Sequence, residues 1–121
     1  MPANRTSIEF GTENQTKLAG QPVTGPLFDF APAIDQYLKG HLFGDIFQRD
    51  NLDWQSREIA TIAALANIQG VNSQLQSHYN IGMNVGLTPE QLRGIVAVLR
   101  DKVGEKIGDN AAQVLDATLK K

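Results

Sequence analysis

The sequence has no cysteine. That excludes disulfides, thiolate chemistry and zinc sites built on sulfur, and it accords with a reducing compartment. Nor is there any run of about 18 apolar residues, the length needed to span a bilayer. The first fifteen residues, MPANRTSIEFGTENQ, are polar and lack the apolar stretch of a signal peptide. A cytoplasmic location is therefore the expectation. Neither sign of charge is in excess, since 11 Lys and Arg against 13 Asp and Glu leave a net charge of −2. This gives no electrostatic reason to expect nucleic acid or an anionic membrane as partner. Phosphate-cradling glycine loops are missing, and no serine stands in a nucleophile-elbow pattern.

What remains is the composition of an ordinary globular domain. The 121 residues, 41% of them hydrophobic, suit one domain with a modest core. Residues 1–28 show no sustained helical period and carry Gly11, Gly20, Pro22, Gly25 and Pro26. They read as an extended N-terminal arm, with a short strand-like piece at Ser7–Phe10, that must pack on something such as a neighbouring subunit to be ordered.

Residues 29–121 read as helices with punctuation. Pro32 suits a first helical position, and Ile34, Tyr37, Leu38 and Leu42 follow at three- and four-residue spacing before Gly44 interrupts. A second helix is expected from Trp54 to Ile68 after Asp53 as N-cap, and a third from Ser73 to Val85 after Asn72. Thr88-Pro89-Glu90-Gln91 is a capping box that opens a fourth helix, whose Leu92, Ile95, Val96 and Leu99 form one apolar stripe. A last helix is expected after Asp109, with Ala111, Val114, Leu115 and Leu119 facing inward. The fold class is all-α, with five to six helices.

The helix starting at Trp54 is unusual. After Arg57 and Glu58 it runs IATIAALA, with Thr61 its only polar side chain. A helix apolar nearly all round must be covered all round, and five helices cover one another only partly. A subunit interface is expected to cover the remainder, making a compact homo-oligomer.

Two side chains stand out as candidates for chemistry. His78 lies three residues after Leu75 and four before Gly82, on or beside the inner face of its helix. There it could serve as a general acid or base, or be a core histidine bonded to a backbone carbonyl. Glu58 is the only acid between Asp53 and Glu90 and shares a face with Ile62 and Leu65, so partial burial is expected. It too has two readings, a catalytic carboxylate or a first-turn acid favoured by the helix dipole. His41 reads as structural. No local ligand spacing supports a metal site, and no cofactor is expected.

Taken together, Ser56-Arg57-Glu58-Ile59-Ala60, the Ala/Leu-rich helix, Gln74-Leu75-Gln76-Ser77-His78 and Asn84-Val85-Gly86-Leu87-Thr88 closely resemble the carboxymuconolactone decarboxylase family. The segment from Gly25-Pro26-Leu27-Phe28 to His41-Leu42-Phe43 resembles one branch of it. The resemblance implies an alkylhydroperoxidase D-like helical fold assembled as trimers or hexamers. It also implies catalytic roles for His78 and Glu58, with Gln74, Trp54, Tyr79 and Asn84 as substrate-binding candidates. In the peroxidase branch two cysteines precede the histidine by seven and four residues, where this chain has Val71 and Gln74. Thiol peroxidase activity is thereby excluded. The implied activity is that of a cofactor-independent lyase or isomerase acting on a small carboxylated lactone or β-keto acid. The alternative is a non-catalytic oligomeric scaffold or ligand-binding module. Since members of this branch occur beside or fused to cupin domains, a cupin partner is a further possibility.

Overall fold

A computed structural model describes residues 6–120. Among these residues the structure is all-helical, without strands. Seven α-helices run α1 Ser7–Ala19, α2 Pro26–Phe30, α3 Pro32–Tyr37, α4 Trp54–Ala66, α5 Asn72–Asn84, α6 Pro89–Lys102 and α7 Glu105–Leu119, with a π-helical segment at Leu38–Ile46. No helix of the described residues is long and apolar enough to cross a membrane. The chain forms two compact units, one up to Asp53 and the other from Trp54 onward.

In the first unit, the expected extended arm is instead mostly helix. The correction has clear causes. Thr6 and Glu9 form a reciprocal capping box, and Gly20, at φ 83°, closes the helix in the left-handed conformation. The buried face of α1 is Phe10, Gly11, Asn14, Gln15 and Leu18, so most of it is polar or bare and its apolar period is hidden. This face lies against the π-helical segment at backbone range. A Cβ on Gly11 would run into the carbonyl of Lys39, and one on Gly44 into the carbonyl of Ser7. The Asn14 amide donates to the Phe43 carbonyl at 2.7 Å and to Gln48 Oε1 at 3.2 Å. Gly44 does not interrupt the helix as its residue type suggests. The wide turns carry on through it, and the Phe47 N–H reaches back to the Leu42 carbonyl. The strand-like reading of Ser7–Phe10 fails with the arm, and residues 1–5 of the arm lie outside the described residues.

The second unit follows the sequence more closely. Its core is Ile62, Ala66, Leu75, Tyr79, Leu87, Leu92, Val96, Leu99, Ala111 and Leu115, drawn from all four helices and the α5–α6 turn. The Thr88–Gln91 capping box forms as expected. Asn72 is the first residue of α5 rather than its cap, and its amide pairs with that of Asn110 on α7 at 3.1 and 3.0 Å. Helix α7 begins one turn before Asp109, because Gly104 at φ 150° turns the chain and Gly108 packs directly on Arg100.

Candidate active site

Helix α4 opens at Trp54 and buries Glu58, Ile62 and Ala66, which lie one turn apart along one face. Glu58 is thus carried inward by the same stripe that builds the core. On α5 the stripe is Leu75, Tyr79 and Gly82, and His78 sits at its edge. A Cβ on Gly82 would meet the Leu87 side chain at 3.0 Å, so the bare position is what lets the following turn fold back on α5.

These two helices bring the candidate acid and base together. His78 Nδ1 lies 2.7 Å from Glu58 Oε2. Glu58 is only 1% exposed, whereas the His78 side chain is 27% exposed. A carboxylate can only accept, so against ionised Glu58 the Nδ1 atom carries the hydrogen and donates it. The contact fixes the ring's orientation and tautomer and leaves Nε2 as the atom that gains or loses a proton. A buried carboxylate that orients a partly exposed histidine is an arrangement able to carry proton transfer.

The other candidates divide. Gln74 is exposed one turn before His78 on the same face of α5. Its Oε1 accepts from the Ser73 hydroxyl at 2.9 Å, which leaves its amide N–H groups as donors. Trp54 is half-buried one turn before Glu58 on α4. Asn84 is exposed at the end of α5, six residues beyond His78 and turned about 120° away around the helix, so it does not join the pair. Tyr79 is a correction. It is fully buried, and its hydroxyl donates to the Ala111 carbonyl at 2.9 Å, so it is a core residue with no surface to line a pocket. Burial pushes its phenol from 10.0 up to about 12.

Gln55 was not anticipated. Its amide donates to the Val85 carbonyl at 2.8 Å and tucks under Gly86, where a Cβ would lie 2.7 Å from its nitrogen. This bond ties the first turn of α4 to the end of α5 and so helps hold Glu58 against His78. No sequence signal marks it, because a glutamine in a first helical turn reads as solvated. Among the described residues no group of three His, Cys, Asp or Glu side chains converges as a metal-binding set.

A comparison with protein families finds that the model of the Carboxymuconolactone decarboxylase family matches residues 32–117. No curated protein matches the chain in sequence.

Proposed function

From the premise that the chain belongs to the carboxymuconolactone decarboxylase family, we propose that it is a cofactor-independent lyase or isomerase acting on a small carboxylated lactone or β-keto acid. The observation that carries this reading is the 2.7 Å contact between buried Glu58 and accessible His78. Loss of CO2 next to a carbonyl breaks the bond to the carboxyl carbon and leaves its electron pair as an enolate. Protonated His78 delivers the Nε2 hydrogen to the enolate carbon, and the ring regains a proton from water. Atoms balance as carboxylate plus one proton giving the decarboxylated product plus CO2. Throughout, Glu58 holds the Nδ1 hydrogen and offsets the charge of the imidazolium. The amide of Gln74, whose Oε1 accepts from the Ser73 hydroxyl, is the candidate donor to the enolate oxygen. Trp54 is the candidate for an apolar wall.

The test is turnover of 4-carboxymuconolactone and of related β-keto acids and lactones, followed in the ultraviolet for wild type and His78→Ala. Loss of a positioned acid lowers the rate by about 10²–10⁴-fold. An unchanged rate in the variant would reject His78 as the proton donor.

A second reading has its own support. Glu58 is almost wholly buried, and its partner sits on the next helix. The pair therefore also serves as a polar tie between α4 and α5, as expected of a non-catalytic scaffold. In that case His78→Ala leaves a buried carboxylate without its partner and costs about 3–5 kcal/mol, with no turnover to lose.

We further propose that the chain works as a homo-oligomer. The support is the outward face of α4, where Ile59 is 40% exposed and Ala60 and Ala64 are exposed.

A further inference from the structure

The first unit contains a cleft that the needs of folding do not account for. It opens between α1 and the chain from Pro22 to Lys39. Its volume of about 510 Å³ falls within the roughly 300–1,000 Å³ of small-molecule sites. The walls are mainly apolar, from Pro22, Val23, Phe28 and Pro32. Against them Lys39 is bonded to Asp35 and lies over the Phe28 ring, 5.6 Å from its centroid. The two charged side chains are only 14% and 29% exposed. Taking an ion pair out of water costs stability, and an apolar pair of the same volume would hold short helices such as α2 and α3 at least as well. A few placed polar groups in an apolar recess are what a ligand site requires.

The charges in the cleft decide what it takes. Lys39 is neutralised by Asp35, so no cation is left over for an anionic ligand. Asp29 lines the same cleft and, among the described residues, has no ion-pair partner. Two carboxylates against one ammonium leave the lining one negative charge in excess. The Thr12 and Thr16 hydroxyls donate to the Ile8 and Thr12 carbonyls at 2.7 and 2.8 Å, so toward a ligand they offer only acceptor lone pairs. We propose that this cleft binds a small organic amine, whose ammonium group Asp29 neutralises and whose apolar body lies against Pro22, Val23 and Pro32. A carboxylate of the same shape is rejected, since it would face Asp29 and find Lys39 already paired. The cleft lies wholly within the first unit and shares no residue with the Glu58–His78 pair, so the proposal does not depend on the chemistry of that pair.

The experiment is a titration of the full, isotope-labelled chain at neutral pH with 2-phenylethylamine at millimolar concentration, followed by amide chemical shifts. Phenylacetate, of similar shape and opposite charge, is the control. The expected result is saturable shifts confined to residues 12–39 with the amine and none with phenylacetate. Asp29 is exposed, so Asp29→Asn has little to disturb in the fold. It is expected to weaken the amine by about three- to tenfold with an unchanged melting temperature. As a second variant, Thr16→Trp fills the cleft from the side of α1 and is expected to abolish the shifts while the helical circular dichroism spectrum is retained. Shifts that fail to saturate with the amine would overturn the proposal. So would phenylacetate binding as tightly as the amine, or an amine affinity that ignores Asp29→Asn. Saturable shifts centred on His78 would instead place the amine at that residue and equally reject the cleft.

Discussion

Tyr79 follows His78 directly, yet the two rings leave α5 about 100° apart and meet different surroundings. One is sealed in the core with its hydroxyl donated to Ala111, and the other is partly exposed with its Nδ1 on Glu58. The buried phenol makes the stability of the second unit pH-dependent in a defined window. In the unfolded chain the group ionises near 10.0, but in the folded chain only at about 12. Below pH 10 both states hold the proton and its contribution is fully present. Between 10 and 12 the unfolded state alone releases it, so folding stability falls as pH rises, by roughly 2–3 kcal/mol in all. Denaturant melts of wild type from pH 9 to 12 are expected to show this decline. Tyr79→Phe is expected to lose about 1 kcal/mol at pH 8 through the missing hydrogen bond, and to lack the part of the decline due to this group. A variant that declines in parallel with wild type would assign the effect to other groups.

At the scale of the element, α1 and α6 show what a single sequence reveals and what it hides. Both start with a reciprocal capping box, Thr6 with Glu9 and Thr88 with Gln91. Helix α6 buries Leu92, Val96 and Leu99, so cap and apolar period agree and the helix is legible. Helix α1 buries Asn14, Gln15 and Gly11 beside Phe10 and Leu18, so its period is invisible to a count of apolar residues. The reason such a face can be buried lies 29 and 34 residues away, in the Phe43 carbonyl and Gln48 that receive Asn14. Likewise Glu58 and His78 were legible as a pair only through their resemblance to a family. Local spacing placed each at the edge of an apolar stripe but could not say that the two stripes meet. Gly11 tests the close approach of α1 to the π-helical segment. In an isolated helix, Gly→Ala gains up to about 1 kcal/mol. Here the new methyl would meet backbone rather than a movable side chain, so Gly11→Ala is expected to destabilise the first unit by about 1–3 kcal/mol. Thermal unfolding followed by circular dichroism measures the sign, and a stabilised variant would refute the backbone contact.

The whole molecule divides after Asp53, not after residue 28 where the sequence suggested an arm giving way to a domain. The family-matched segment, 32–117, runs across that division and includes all of α4 to α6. Helix α4 is where the proposed homo-oligomer is most open to test. One of its faces supplies Glu58, Ile62 and Ala66 to the core, while Ala60 and Ala64 remain exposed on another. An exposed alanine replaced by arginine in a helix interior costs a lone subunit almost nothing, since both are strong helix formers and the long side chain reaches water. The same arginine set into a subunit contact is another matter, because it brings a buried charge and excess volume that the opposing surface cannot accept. Ala64→Arg is therefore expected to leave the melting profile of the isolated subunit intact while lowering the mass measured by light scattering. An unchanged mass in Ala64→Arg would mean that the outward face of α4 is solvated in the assembly, and that its apolar character serves the fold of one subunit alone.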